Sequence, residues 1–109
     1  MSLTNISKKY FTAFSNQDLE TLGEMVSDFV HLRDWEIKVD GKKNVLEANK
    51  NIFDNLSSNI VNVVNMYECD RTIIADLLIN LEEKQVIKVV DIIEFDENNL
   101  IKSIKAYKG

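Results

Sequence analysis

The 109 residues include no proline, one cysteine and one histidine, and no apolar run reaches the about 18 residues that a membrane-spanning helix needs. Each absence removes a class of protein. Cys69 has no partner for an internal disulfide, and Cys69 with His31 falls short of any usual zinc set, so Cys69 reads as a small strand residue and no metal is expected. There is no glycine-rich phosphate loop and no nucleophile elbow, which leaves no motif asking for a nucleotide or other cofactor. An excess of positive charge is missing too: 13 basic against 18 acidic residues give a net charge of −5, an unfavourable balance for nucleic acid or anionic membranes. The stretch Met1-Ser-Leu-Thr-Asn-Ile-Ser-Lys-Lys9 carries no signal-peptide hydrophobic segment, so a cytoplasmic location is expected.

Hydrophobic residues make up 45% and charged residues 28%, the balance of a globular chain, and the length suits one domain over residues 1–109. Leu3, Ile6, Tyr10, Ala13 and Phe14 fall on one side of a helix with a period of about 3.6 residues. Ser15-Asn16-Gln17-Asp18 interrupts that pattern, and Asp18 is a suitable N-cap for a second helix with Leu19, Leu22, Met25 and Val26 on its apolar side. Residues 29–35 read as a short strand with Val30, Leu32 and Asp34 on one face and His31, Arg33 and Trp35 on the other. Asp40-Gly41 marks a turn, and Val45, Ala48, Ile52, Phe53 and Leu56 form a third helical stripe with Asn49 inside it.

Beyond Ser57-Ser58-Asn59 the runs 60–69, 72–81, 85–95 and 100–107 are rich in valine and isoleucine and uninterrupted by proline. Asp70-Arg71, Glu82-Glu83-Lys84 and the segment 96–99 are short enough to be hairpin connections. Helices followed by adjacent strands indicate an α+β fold, three N-terminal helices on a curved antiparallel sheet. Helices can cover one face only. The other carries Ile74, Leu78, Val86, Val90 and Ile92 among Asp76, Asn80, Lys88 and Glu94, a mixed surface suited to a homodimer formed through the sheet.

Within residues 85–95, alternation sets Asp91 on the same side as Ile87, Val89, Ile93 and Phe95. A carboxyl on an apolar face must find a hydrogen bond or a counter-charge, or keep its proton, because an isolated buried charge is too costly. Tyr10 and Asp34 also project from apolar faces, and helices over a curved sheet would aim all three at one interior.

The segments 9–19, Asp34-Trp35, Gly41, 90–95 and 101–107, in that order and spacing, resemble the nuclear transport factor 2-like superfamily and, within it, the SnoaL-like polyketide cyclases and ketosteroid isomerases. The resemblance implies a cone-shaped, cystatin-like fold and an internal pocket for a small hydrophobic, carbonyl-containing molecule. It also implies roles: Asp34 as general base, Tyr10 and a protonated Asp91 as the oxyanion hole, with no cofactor. Phe14, Trp35, Asn49 and Phe53 would line and shape the pocket. Trp35 stands where the isomerases have proline, and Asn49 where some have a further tyrosine. A non-catalytic scaffold that binds a ligand or a protein partner is the competing expectation.

Overall fold

The computed structural model describes residues 2–82 and 85–109. Of the expected connection Glu82-Glu83-Lys84, Glu83 and Lys84 lie outside the described residues.

Helix α1 spans Leu3–Ser15, begun by Ser2, whose side chain accepts from the Asn5 N–H, and it buries Leu3, Ser7, Tyr10, Phe11 and Ala13. It stops because Gln17 takes a left-handed conformation (φ 54), letting the Asp18 N–H reach Ala13 O and the Gln17 N–H reach Phe14 O. Asp18 then caps α2 (Leu19–Met25) by accepting from the Thr21 N–H, as its sequence position suggests. The Gln17 amide donates to Asn59 Oδ1 and Leu56 O, and Asn59 donates to Phe14 O at 2.8 Å. That partly buried network ties the end of α1 to residues 56–59.

Strand β1 runs Val26–Arg33, earlier at both ends than alternation suggests. It starts early because Val26 already pairs with Ile101, and it ends early because the Asp34 side chain turns the chain. The short strand β2 (Lys38–Asp40), absent from the sequence reading, folds back on β1 with Leu32 opposite Val39. Gly41 follows at φ 89, a conformation that favours glycine, and α3 occupies Lys42–Asn55 with Val45, Asn49 and Phe53 buried.

Four strands complete the sheet: β3 (Asn59–Cys69), β4 (Thr72–Leu81), β5 (Gln85–Phe95) and β6 (Ile101–Lys108). The order is β2-β1-β6-β5-β4-β3. All neighbours are antiparallel except β1 and β6, so the sheet is mixed rather than wholly antiparallel. The hairpin segments predict their own partners, whereas the β1–β6 pair joins residues far apart in sequence and its direction is set only when the helices dock.

The helices cover one face. Between them and the sheet lie Ile73 and Leu77 of β4, Ile93 and Phe95 of β5, Ile101 of β6 and Val30 of β1, all fully buried. Each such aliphatic side chain contributes about 1.5–3 kcal/mol relative to exposure. Gly23 lets α2 approach α3, since a Cβ there would sit 3.3 Å from Leu46. No helix of the described residues is long and apolar enough to cross a membrane.

Candidate functional site

The core is not filled everywhere. On β5, Asp91 stands opposite Ala75 of β4 on one side and Ala106 of β6 on the other. Ala106 offers only a methyl group beside the carboxyl, where a larger residue would take up space. A cavity of about 350 Å³ opens there, bounded by α1, α3, the end of β1 and the inner face of the sheet. Its walls are apolar, among them Phe14, Ile52, Leu77, Ile79 and Val89.

Tyr10 of α1, Asp34 just after β1, Asn49 of α3 and Asp91 of β5 are among the polar residues that border this cavity, together with Glu36, Asn59, Gln85 and Lys108. Tyr10 comes from the third turn of α1, and its ring packs on Phe11 with centroids 5.5 Å apart and on Phe14 at 6.4 Å. Burial, and secondarily the nearby Asp91 carboxylate, raise its pKa well above the ordinary phenol value. Tyr10 therefore stays a neutral O–H donor across the working pH range.

Asp34 follows β1 in a tight turn. Its Oδ1 accepts from the backbone N–H groups of Glu36 at 2.7 Å and Ile37 at 2.8 Å, while its own N–H donates to Ile37 O. These bonds hold the carboxylate in one orientation and leave Oδ2 without a hydrogen bond among the described residues.

Asp91 is partly buried, keeps a side open to the cavity and has no hydrogen-bond partner within the described residues. Its pKa is raised to about 7, chiefly by burial and then by the charge of Asp34. Near neutrality it is a carboxyl poised to hold its proton and donate it in a hydrogen bond.

Tyr10, Asp34 and Asp91 border the same cavity, although Asp34 lies in the turn after β1 rather than in the strand expected over 29–35. Phe14, Trp35 and Asn49 line it as well. Phe53 does not: it lies behind the wall, edge-on to Phe14 at 5.1 Å. The helical stripe identifies Phe53 as buried, but a stripe cannot separate a residue facing a cavity from one a layer behind it. Trp35 leaves the strand pattern altogether, half-exposed at the rim, where Lys108 Nζ sits 5.9 Å from its ring centroid. Ala106, which borders the cavity, carries no signal of its own in the sequence; aligning the β5–β6 hairpin sets it beside Asp91.

Two other concavities are open to solvent. One of about 810 Å³ crosses the outer face over β1, β2 and β6 among charged side chains, and one of about 530 Å³ runs along α3. Both are larger than the interior cavity but more open. His31 belongs to the first, facing outward and paired with Asp40 at 2.5 Å, away from Asp34.

A scan against protein-family models finds none that matches, and a search of curated proteins finds no match either. Solved structures do match in fold. A candidate SnoaL-like polyketide cyclase from Shewanella putrefaciens superposes with a TM-score of 0.87 at 14% identity, covering 99% of this chain and 80% of that one. A candidate ketosteroid isomerase from Kribbella flavida gives 0.86 at 12% identity over 98% and 77% of the two chains. An epoxide hydrolase of M. tuberculosis described as LEH-like gives 0.85 at 12% identity over 98% and 82%. The chain has the nuclear transport factor 2-like fold, and at such identities the likeness concerns the fold alone.

Proposed function

We propose that the protein binds a small hydrophobic carbonyl compound in the interior cavity and moves a proton on it without a cofactor. Asp34 Oδ2 takes a proton from the carbon beside the carbonyl, and the C–H electron pair passes into the enolate, placing negative charge on oxygen. Tyr10 and protonated Asp91 donate hydrogen bonds to that oxygen. Asp34 then returns the proton to the same carbon or to one conjugated with it, which restores every group. Donors aimed at developing charge in a water-poor site are worth more than in water.

One observation carries this reading: a largely apolar cavity bordered by a carboxylate anchored through one oxygen to the backbone, a neutral phenol and a carboxyl of raised pKa. The test is exchange of the acidic C–H hydrogens of β-tetralone in D2O, followed by NMR. The wild type should accelerate exchange, and Asp34→Asn should slow it about 10²–10⁴-fold with the fold retained. Binding of β-tetralone without any acceleration would leave a ligand-binding scaffold and remove the acid–base mechanism.

A second observation supports pairing of two copies through the outer sheet face. Tyr67 and Val86 are each 58% exposed and Tyr107 54%, and Ile74 and Val90 lie on the same face, which mixes them with Asp76, Asn80 and Lys88. Sedimentation of the purified protein measures this directly, and a monomer at all concentrations would remove the homodimer.

A further inference from the structure

Two asparagines are buried in this chain, and they are satisfied differently. Asn59 is 1% exposed, accepts from Gln17 and donates to Phe14 O, so both ends of its amide are used within the fold. Asn49 is 4% exposed, makes no side-chain hydrogen bond among the described residues, and borders the cavity, through which its amide stays accessible to water. It stands between Val45 and Phe53 on the buried stripe of α3, where leucine would suit both neighbours and the helix better. An amide that borders the cavity and has no partner in the fold takes one from whatever occupies that cavity, water or a ligand group.

A primary amide has an acceptor oxygen and two N–H donors. The carbonyl held by Tyr10 and Asp91 can accept but has nothing to give the Asn49 oxygen. A hydroxyl is the smallest group that both donates and accepts, and Asn49 reaches the cavity from α3, a wall separate from α1 and β5. We propose that Asn49 is a specificity-determining residue that recognises a hydroxyl on the ligand, making the bound molecule a hydroxylated hydrophobic ketone rather than a plain hydrocarbon ketone. At the roughly 30 Å³ that a water occupies, the cavity equals about a dozen waters, room for one or two rings with such a substituent. This deepens the proposed function, because it rests on the cavity being the ligand site, but it does not require turnover.

The experiment measures binding of β-tetralone and its ring-hydroxylated regioisomers by calorimetry to the wild type, Asn49→Leu and Asn49→Ala. At least one isomer should bind the wild type about tenfold more tightly than the parent ketone, and that ratio should fall to about one in both variants. Thermal unfolding supplies the readout a structural role would reverse: Asn49→Leu should melt at or above the wild-type temperature, whereas Asn59→Leu should melt several degrees lower. The proposal is overturned if no isomer is preferred, if the preference survives in both variants, or if Asn49→Leu destabilises as much as Asn59→Leu. A cavity amide served by water only would give the first of these results. Failure of every ketone to bind would instead remove the cavity as a ligand site, and failure of hydrogen exchange alone would remove the catalytic reading and leave the hydroxyl preference standing.

Discussion

The two faces of the sheet obey opposite rules. On β5 the helix-covered face carries Val89, Asp91, Ile93 and Phe95, with one polar residue among apolar ones, while the bare face mixes Val86, Val90 and Ile92 with Lys88 and Glu94. A valine in water loses little individually, so the outer face tolerates mixture and its meaning lies in the sum. A carboxyl under the helices has no such tolerance: it must be neutralised or used. The inner exception is therefore informative residue by residue, and the outer one only as a patch.

The largest expected effect breaks the inner face at its chemistry. Tyr10→Phe keeps the packing against Phe11 and Phe14 but removes one donor, and exchange of β-tetralone hydrogens should slow about 10²–10³-fold by NMR. Next, adjacent residues of β5 separate the faces by stability alone. Ile93 is fully buried and Ile92 faces outward, so Ile93→Ala should lose about 2–5 kcal/mol in urea unfolding and Ile92→Ala much less. Equal losses would mean that the outer face is covered as thoroughly as the inner.

Asp91 supplies a pH test of intermediate size. Its folded pKa, about 7, lies above the ordinary value of 3.8, so between those limits the native state binds the proton more tightly than the unfolded chain does. The stabilisation is fully present below the ordinary value and is lost as pH rises through about 7. Thermal stability should decline across that window, and Asp91→Asn should flatten the decline. The same ionisation removes a donor from the site, so the exchange rate should fall above about pH 7 in the wild type. The smallest effect belongs to the outer face: Val90→Lys should change monomer stability by about 0.5 kcal/mol or less yet shift the sedimentation of a dimer towards the monomer. A large loss of stability with no change in association would contradict the distinction between the faces.

Much of this was readable in the residues. Strands β3 to β6 agree with the valine- and isoleucine-rich runs to within a residue, because local alternation and short connections specify hairpins. Asp18 caps α2 as its position suggests, since capping depends on four consecutive residues. The ends of β1 were less legible: Val26 joins the strand because Ile101 lies beside it, and Asp34 leaves it because its carboxylate binds the N–H groups of Glu36 and Ile37. β2 is three residues long, too short for a periodic signal.

By itself, then, the sequence determined which side chains go inside, through periods of about 3.6 and 2 residues that are properties of local backbone geometry. It thereby marked Tyr10, Asp34 and Asp91 as polar groups on apolar faces. Only the tertiary structure decided that β1 runs parallel to β6, that Ala106 borders the cavity beside Asp91, and that Asn49 opens on that cavity while Phe53 does not line it. The reason is physical: burial is a property of one element and its pattern, whereas an empty volume belongs to several elements at once and exists only after they pack.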